Sequence, residues 1–425
     1  YHALPMASVV FYFQIHQPHR LRRYSVFDSD PFYFDNQKNG DIARKVADKC
    51  YRPTTELILD LVKRHKGRFK VSYSITGTVL DQWAEFTPDI IDIFKRLADT
   101  GCCEFLAETY YHSLSFLYSK EEFTAQVAMH TKRMQDLFGQ TPTVFRNTEL
   151  IYSNDVGHAI AEMKDEHGKP RFLGGICEGA DHLLGYRSPN FIYRPPHTGN
   201  GPTGKPFGLL LKNYRLSDDI AFRFSNRGWS EWPLTAERFA QWVHQINGNG
   251  YVCNLFMDYE TFGEHQWADT GIFKFLDALP EKIFDIAPGV NDFATPSEAF
   301  KRYDAVGDYD VPHVISWADT ERDLSAWLGN AMQSGALNET YRVERLVKAR
   351  LAAALKSGDE QAKVEASHAL NDWRKLTTSD HFYYMCTKYW ADGDVHKYFS
   401  PYESPYDAYI NYMNTLDNMR TRVSG

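Results

Sequence analysis

YVCNLFMDYETFGEHQW, residues 251–267, is the most informative stretch of the chain. Its first half is a short apolar run rich in β-forming residues, which is typical of a buried parallel strand. At Asp258 the character changes, and Glu260, Glu264 and His265 follow within eight residues. Acidic and aromatic side chains directly after a buried strand are typical of the catalytic end of a β/α barrel. A polar loop that only caps the strand is the alternative, and the density of ionisable groups argues against it.

The composition narrows the class of protein. The chain has 425 residues, and 43% of them are hydrophobic, which is enough for one large barrel with a smaller domain. The formal net charge is −8 and no basic stripe occurs, so nucleic acids and anionic membranes are poor candidates as partners. Flat aromatic rings stack on sugars but also fill cores, so the high aromatic fraction of 15% decides nothing alone.

Cysteine usage and hydropathy predict the cellular environment. The six cysteines show no CxxC spacing, and Cys253 falls inside the apolar run, so we expect buried free thiols. The amino terminus leads directly into a strand without the pattern of a signal peptide. No stretch reaches the roughly 18 apolar residues of a membrane span. These features predict a cytoplasmic protein without membrane contact.

Strand patterns alternate with helix patterns along most of the chain. Strands are predicted at residues 8–15, 69–75, 103–106, 143–146, 171–176, 191–193, 209–211 and 251–258, and a long loop at 20–53. Such alternation implies a parallel sheet with right-handed crossovers. From about residue 311 the pattern becomes mostly helical. We therefore expect a catalytic barrel over residues 1–310 and a helical carboxyl-terminal domain over residues 311–425.

Ionisable side chains follow four of the predicted strands, at the points where these strands end. Because the carboxyl ends of parallel strands meet at one edge of a barrel, we expect these side chains to lie close together. Glu104 and Glu108 have the same parity along one strand, so both can point to the barrel axis. Pro18 stops the first strand, although a turn with solvated histidines explains His16 and His19 equally well. The side chains concerned are His16, Glu104, Glu108, His112, Glu149 and Asp258.

Two carboxylates from different strand ends suit glycoside hydrolysis. An ionised carboxylate attacks the anomeric carbon, while a protonated one supplies a proton to the leaving group. Asp258 has aromatic neighbours that favour its protonated form, whereas Arg146 and Asn147 favour the ionised form of Glu149. We therefore choose Glu149 and Asp258 as the catalytic pair. The reserve candidates are Glu108, Glu260 and Glu264.

A metal site is the competing interpretation. Zinc or another divalent ion would make the protein a deacetylase-like or mannosidase-like hydrolase. No HExxH motif occurs, but zinc ligands can come from separate strands, so both interpretations stay open at this point. The ligands would be His16, His19, His112, Asp258 and His265. A non-catalytic glucan-binding protein is a third possibility, and neither a GxSxG elbow nor a glycine-rich phosphate loop is present.

Five short regions, taken in order, resemble glycoside hydrolase family 57, and within it the α-amylase group. They are His16-Gln17-Pro18, Gly101-Cys102-Cys103-Glu104, FRNTELIY (145–152), MDYETFGEHQ (257–266) and the predicted helix ERDLSAWLGNAMQ (321–333). The segments NYRLSDDIAFRF (213–224) and SDHFYYM (379–385) also look like the amylase group. The resemblance therefore spans nearly the whole chain.

The resemblance implies an α/β fold, with an incomplete (β/α)7 barrel followed by a helical carboxyl-terminal domain that contributes to the active-site cleft. It implies a retaining mechanism on α-1,4-glucans such as starch, glycogen and maltodextrins, with Glu149 as nucleophile and Asp258 as acid/base. A 4-α-glucanotransferase on the same scaffold is the alternative, and no cofactor or metal is expected. The substrate-binding candidates are His16, Gln17, Glu104, Glu108, His112, Trp267, Trp327, Asn330, Asp380 and His381.

Overall fold

Strands and helices alternate from the beginning of the chain, as predicted. The computed structural model describes residues 6–388 and 399–424. Its strands are β1 (Ser8–Ile15), β2 (Val71–Ile75), β3 (Cys103–Phe105), β4 (Val144–Arg146), β5 (Gly174–Glu178), β6 (Ile192–Tyr193), β7 (Gly208–Lys212), β8 (Val252–Asp258) and β9 (Asp292–Phe293). The longer helices are Asn36–Val46, Arg52–Arg64, Gly77–Phe86, Pro88–Asp99, Lys120–Phe138, Asn154–Ala161, Tyr214–Ala221, Ala236–His244, Ile272–Ile286, Ala331–Ser357, Glu360–Leu376 and Pro405–Ser424. Shorter helices are Ser115–Tyr118, Asp181–Leu184, Pro296–Arg302, Ser325–Leu328 and Ser379–Tyr383.

The chain forms two compact units, each built from three segments. The first unit comprises the described parts of residues 1–16, 42–108 and 129–317, and the second those of 17–41, 109–128 and 318–425. The simpler division into residues 1–310 and 311–425 stays a prediction.

Seven parallel strands form the barrel of the first unit. One sheet runs in the order β3-β2-β1-β8, and a second in the order β4-β5-β7. The sheets meet at a bridge between Ala107 and Phe145, and at a hydrogen bond of 3.0 Å from the Asn213 amide to the Asn254 carbonyl oxygen. Strand β9 pairs with the start of β1, and antiparallel β6 flanks β7. This arrangement, one strand short of an eight-stranded barrel, confirms the predicted α/β fold with an incomplete (β/α)7 barrel.

Alternate side chains of each strand face two different cores. On β1, Val9, Phe11 and Phe13 belong to a buried cluster that includes side chains of the surrounding helices. Val10 and Tyr12 belong to a second cluster with side chains from β4, β5, β7 and β8. Side chains from so many strands can meet only inside the ring, so the second cluster fills the barrel. The strand period of two residues therefore sorts this apolar run into an outer and an inner face.

Apolar packing closes the amino-terminal end of the barrel interior. Phe300, on the helix Pro296–Arg302, lies against the first residues of β5 and β7. A Cβ atom on Gly174 or on Gly208 would lie 2.5 Å from the Phe300 ring. Glycine at both positions therefore lets the ring pack directly on the strand backbones.

The carboxyl-terminal end of the interior is polar instead. Two residues beyond the apolar members of the inner cluster, the inward positions of six strands change to polar or charged side chains. These side chains are Gln14 after β1's Tyr12, Glu108 after Leu106, Arg146 after Val144, Glu178 after Ile176, Lys212 after Leu210 and Asp258 after Phe256. We refer to these six side chains as the strand-end layer.

The second unit is mainly helical, as predicted for the carboxyl-terminal region. Its helices Ala331–Ser357, Glu360–Leu376 and Pro405–Ser424 pack on one another. Tyr412 donates or accepts a hydrogen bond of 2.7 Å with Thr340 inside this bundle. Such a partner compensates the burial of both hydroxyls.

Two local predictions are wrong. Residues 20–53 contain the helix Asn36–Val46 rather than only a loop; its polar composition hides a buried face that includes Ala43 and Val46. The segment ERDLSAWLGNAMQ is not one continuous helix, because the short helix Ser325–Leu328 ends at Gly329 and a new helix begins after Asn330. The Asn330 side chain caps that new helix, which explains the break.

Two other expectations concern burial. All six cysteines are buried and unbridged, which confirms the prediction of buried free thiols. Among the helices of residues 6–388 and 399–424, none combines the length and the hydropathy that a membrane span requires.

Candidate active site

Glu149 lies in a strained turn directly after β4. The turn Thr148–Leu150 places Glu149 at φ 58° and Leu150 at φ 51°, so two consecutive non-glycine residues have left-handed backbones. Each such residue costs about 1 kcal/mol or more. The Asn147 side chain donates a 3.0 Å hydrogen bond to the Ile151 carbonyl oxygen and thereby closes the turn. A backbone held in this conformation fixes the direction of the Glu149 side chain relative to the end of β4.

Trp317 holds the carboxylate of Glu149. Its indole Nε1 donates a 2.8 Å hydrogen bond to Glu149 Oε2, and its backbone amide donates a 3.2 Å bond to the Glu149 carbonyl oxygen. The guanidinium carbon of Arg146 lies 4.9 Å from the centre of the indole ring, and Lys212 Nζ lies 5.4 Å from it. The indole N–H stabilises a negative charge on Glu149. Arg146 adds a positive charge on the far side of the indole, whereas Lys212 is already paired with Asp218 at 3.2 Å.

Arg146 is fully buried, and its Nε, Nη1 and Nη2 atoms have no hydrogen-bond partner in the part of the chain that the structure describes. It interacts electrostatically with the Tyr12 hydroxyl. Burial raises the pKa of Tyr12; Arg146 opposes this effect, while the charges of Glu108 and Asp258 reinforce it. Three strand ends therefore act on one buried hydroxyl, so the strand-end layer converges inside the barrel.

A hydrogen-bonded chain links β1 to the end of β3. The Tyr12 hydroxyl donates to Gln14 Oε1 at 2.8 Å, and Gln14 Nε2 donates to Glu108 Oε1 at 3.2 Å. Glu108 is fully buried. Its backbone amide lies 3.4 Å from His130 Nδ1, so His130 accepts there through a neutral ring nitrogen. These contacts give Glu108 a fixed position beside the barrel axis.

Asp258 ends β8 in a different environment from that of Glu149. It lies opposite Gln14 in the ladder between β1 and β8, and it precedes the short helical turn Tyr259–Thr261. Glu260 is buried in that turn and accepts a 2.5 Å hydrogen bond from the Tyr51 hydroxyl. Burial, and then the charge of Asp258, raise the pKa of Glu260 to about 8. Asp258 therefore has a neighbouring carboxyl group that is protonated at neutral pH.

The loop that follows the turn Tyr259–Thr261 contains Glu264, His265 and Trp267. Lys45 and Lys49 lie 2.6 and 3.5 Å from the carboxylate of Glu264, so Glu264 is engaged in ion pairs. Burial lowers the pKa of His265 to about 4. Trp267 is 58% exposed, with Lys49 Nζ 5.3 Å from its ring centre. A large exposed ring beside the Asp258 loop is suited to sugar stacking.

The other residues predicted in the first unit have separate positions. His16 Nδ1 lies 3.0 Å from Thr76 Oγ1 at the lip of β1. Glu104 Oε2 accepts a 2.9 Å hydrogen bond from the Ser297 amide at the start of the helix Pro296–Arg302. Burial raises the pKa of Glu104. Glu104 lies four residues before Glu108, or about 13 Å along the strand, so it caps a helix below the strand-end layer.

Three of the predicted substrate-binding residues in the second unit are Gln17, His112 and Asp380. Gln17 Oε1 accepts a 2.7 Å hydrogen bond from Arg20 Nη2. His112 is buried with a left-handed backbone at φ 50°, and its carbonyl oxygen accepts a 2.8 Å bond from the Ser379 amide. Asp380 lies next in the short helix Ser379–Tyr383 and is half-buried. Their sugar-binding roles stay predictions.

Three further predicted residues of the second unit are built into its packing. Trp327 is buried, with its ring centre 6.4 Å from that of Tyr383. The Asn330 side chain accepts a 3.0 Å bond from the Gln333 amide and donates a 2.8 Å bond to the Met385 carbonyl oxygen. The remaining residue, His381, is buried and lies 3.1 Å through Nε2 from the Lys375 carbonyl oxygen.

The five residues of the alternative metal site are divided between the units. The structure places His16, Asp258 and His265 in the first unit, and His19 and His112 in the second. A metal site formed by these residues stays a prediction.

Sequence reasoning found Arg146 but missed two other residues around Glu149. Lys212 occupies an inward position at the end of β7, and strand parity would have found it. Trp317 reaches Glu149 because Ile315 and Tyr152 exchange backbone hydrogen bonds of 2.9 Å. That pairing joins segments more than 160 residues apart and leaves no local signal.

Comparison with known proteins shows the family of the chain. The family model of glycosyl hydrolase family 57 matches residues 10–312. A protein of Methanocaldococcus jannaschii provisionally named alpha-amylase is 42% identical over 417 residues, which cover 96% of this chain and 83% of the relative. These two matches show the family.

Solved structures share the fold at low sequence identity. A family 57 branching enzyme from Pyrococcus horikoshii has a TM-score of 0.64 and 15% identity, with 90% of this chain and 86% of that chain covered. An α-amylase from Thermotoga maritima has a TM-score of 0.60 and 14% identity, with 99% and 94% covered. A 4-α-glucanotransferase from Thermococcus litoralis has a TM-score of 0.59 and 15% identity; the match covers 89% of this chain but only 56% of that longer enzyme.

Proposed function

Because the chain belongs to glycosyl hydrolase family 57, we propose that it hydrolyses α-1,4-glucans with retention of configuration, using Glu149 as nucleophile and Asp258 as acid/base. Starch, glycogen and maltodextrins are the proposed substrates. The observation that carries the proposal is the contrast between the two carboxylates. Glu149 is held by the Trp317 indole N–H next to two cations, whereas Asp258 is next to the buried Glu260.

In the first step, a Glu149 carboxylate oxygen attacks the anomeric carbon and forms an ester bond to it. The bond between that carbon and the glycosidic oxygen breaks at the same time. The proton of Asp258 passes to the departing oxygen, which leaves as a hydroxyl group of the shortened glucan. The nucleophile must be ionised for this step, and the hydrogen bond from the Trp317 indole supports that state.

In the second step, Asp258 has become a carboxylate and accepts a proton from water. The water oxygen attacks the anomeric carbon, the ester bond to Glu149 breaks, and Asp258 is protonated again. Two inversions at one carbon give overall retention. This mechanism needs a separation of about 5–5.5 Å between the two carboxyl groups.

Glu260 contributes to the proton balance at Asp258. With a pKa of about 8, its carboxyl group is neutral over most of the working pH range. If Glu260 were ionised, its negative charge near Asp258 would oppose the formation of the Asp258 carboxylate in the first step. A neutral Glu260 removes that repulsion while the Tyr51 hydroxyl fixes its orientation.

Incubation with maltoheptaose tests the proposal. We expect only shorter maltooligosaccharides by chromatography, and the α-anomer as the first product by NMR. Products longer than maltoheptaose would identify the 4-α-glucanotransferase alternative, in which a sugar hydroxyl replaces water in the second step. A first product of β-configuration would contradict retention.

A chelator tests the metal-dependent alternative in the same assay. We expect the rate to be unchanged after dialysis against EDTA. A rate that disappears with EDTA and returns with zinc would replace the carboxylate mechanism with metal-assisted hydrolysis.

A further inference from the structure

A pocket of about 670 Å³ lies on the first unit, apart from the strand-end layer. Three aromatic side chains line it, and all three are half-buried. They are Tyr214, Trp229 and Trp242. The volume falls within the range of small-ligand pockets, about 300–1,000 Å³, so a short oligosaccharide segment fits.

The helix Tyr214–Ala221 separates this pocket from the barrel interior. Ser217 Oγ on this helix accepts a 3.2 Å hydrogen bond from the Phe256 amide of β8, so Ser217 faces the barrel. Arg215 and Asp219 line the pocket. Each lies two residues from Ser217, which corresponds to about 200° around the helix. The pocket is therefore on the helix face opposite to the strand that carries Asp258.

The two carboxylates that line the pocket are already paired. Asp219 Oδ1 accepts a 2.7 Å hydrogen bond from Arg223 Nε, and the carboxylate of Glu231 lies 2.8 Å from Arg238 Nη1. The second Asp219 oxygen has no hydrogen-bond partner among the described residues. A pocket with paired carboxylates and a remaining acceptor can form hydrogen bonds with the hydroxyls of a neutral ligand.

The aromatic rings are also held in place. The guanidinium carbon of Arg223 lies 6.0 Å from the Trp229 ring centre. The rings of Trp229 and Trp242 are 6.4 Å apart at an angle of 62°, so they form two walls of the pocket. The Tyr214 hydroxyl donates a hydrogen bond to Asp181. Fixed rings beside fixed polar groups can bind the apolar face and the hydroxyls of a sugar with little loss of side-chain entropy.

We propose that this pocket is a second α-glucan-binding site, which holds a polysaccharide chain away from the catalytic carboxylates. The identity of the ligand rests on the proposed function, whereas the presence of the pocket does not. The site would raise the effective concentration of a long substrate at the catalytic pair without affecting short substrates.

Affinity electrophoresis in gels containing soluble starch tests the proposal, together with kinetics on soluble starch and on a p-nitrophenyl α-maltotrioside. The variant is Trp229→Ala. The matched control is Phe222→Ala, an aromatic residue of the same segment that is 63% exposed and does not line the pocket. We expect Trp229→Ala to bind starch about tenfold more weakly, with unchanged kcat/KM on the short substrate. Phe222→Ala should behave as the parent protein does.

Asp219→Asn is the second variant, because it keeps both tryptophans and guards against a folding defect in Trp229→Ala. It should also weaken retention by starch, at an unchanged melting temperature. Parent-like retention of both variants would overturn the inference, as would a parent protein that starch does not retain. A parent protein that is retained through Trp229 but cleaves no glucan would support the site and contradict the proposed function.

Discussion

Two fully buried charged side chains, one in each unit of the molecule, differ in their hydrogen-bond partners. At the strand ends of the barrel, Arg146 is fully buried, and none of its three side-chain nitrogens has a hydrogen-bond partner among the described residues. In the helical unit, Glu122 is equally buried, but Arg374 and Lys348 lie 2.7 and 3.3 Å from its oxygens. Asn330 uses its side-chain amide for a helix cap and a second hydrogen bond.

The difference indicates that residues at the strand ends of the barrel are selected for something other than stability. An unpartnered buried donor costs about 1–3 kcal/mol, and consecutive left-handed residues at Glu149 and Leu150 add strain. Costs of this kind directly beside a candidate catalytic residue are typical of a functional site. We therefore expect substitutions there to change turnover, and substitutions at the buried polar residues of the helical unit to change stability.

The largest expected effect is at the proposed catalytic pair. Glu149→Gln removes the nucleophile and should lower kcat on maltoheptaose by about 10³-fold or more. Asp258→Asn removes the proton donor and should lower it by about 10²–10⁴-fold. Neither side chain should be needed for folding, so the free energy of unfolding by urea should stay near that of the parent.

A substrate that needs no protonation separates the two roles. On an aryl α-maltoside with an acidic phenol, Asp258→Asn should retain the first step and release a burst of phenol, whereas Glu149→Gln should release none. Parent-like turnover in either variant, or a burst from the Glu149 variant alone, would reverse or remove the assignment.

The next largest effect is expected at Trp317. Trp317→Phe keeps an aromatic ring near Arg146 and Lys212 but removes the N–H that donates to Glu149 Oε2. A hydrogen bond to a charged group contributes about 1.5–3 kcal/mol, so kcat/KM should fall by about 10- to 100-fold. The acidic limb of the pH profile should also move to higher pH, because the Glu149 carboxylate loses a donor. Trp232→Phe, at a tryptophan that is 42% exposed and has no predicted role in the site, is the control; an unmoved limb in Trp317→Phe would contradict the positioning role.

A smaller effect concerns stability as a function of pH. The folded protein keeps a proton on Glu260 up to about pH 8, whereas the unfolded chain loses it near the ordinary value of 4.5. The stabilisation from this group is therefore complete below about pH 4.5 and is lost as the pH rises towards 8. Glu260→Gln should remove this decline, which has a slope of at most about 1.4 kcal/mol per pH unit.

Urea unfolding at several pH values between 5 and 8 measures this slope. Glu56→Gln, at a carboxylate that is paired with Arg96 on the surface, is the control. If the stability curves of the parent and of Glu260→Gln stay parallel across this window, the proton on Glu260 is not linked to folding.

The smallest effect is expected at Asn330. Asn330→Ala removes a helix cap and should lower the free energy of unfolding by about 1 kcal/mol. Asn330→Asp keeps the acceptor for the Gln333 amide but loses the donor to Met385, so it should be destabilised less. Kinetics on maltoheptaose show whether Asn330 also binds sugar: a capping role alone leaves KM unchanged, whereas a sugar contact raises it in both variants.

The barrel was predictable because its signals are local. Strand β8 was expected at residues 251–258 and lies at Val252–Asp258, since an apolar run followed by acidic residues has few alternative structures. Parity then places Glu108 and Asp258 on inward positions. The helix Asn36–Val46 escaped prediction because its polar residues outnumber the few that are buried, and tertiary packing supplies its stability.

The surroundings of the candidate site were less predictable. Trp327 and Asn330 were predicted to lie on one helix, but Gly329 interrupts it, and each residue serves the packing of its own segment. Trp317 reaches Glu149 through a long-range backbone pairing. Residue types locate carboxylates at strand ends, whereas the groups that hold them depend on contacts between distant segments.

The two junctions between the sheets of the barrel bear on how this protein loses activity. Asp258 belongs to the sheet of β1, and Glu149 follows a strand of the other sheet, so the gap between them spans a junction. One junction depends on the hydrogen bonds of Ala107, at 2.8 and 2.9 Å, and the other on those of Asn254, at 2.8 and 3.0 Å. Slight shear at either junction separates the carboxylates while each sheet keeps its own ladder. Warming should therefore inactivate the protein below the temperature at which its circular dichroism changes, and the amides of Ala107 and Asn213 should exchange with deuterium before those of β1.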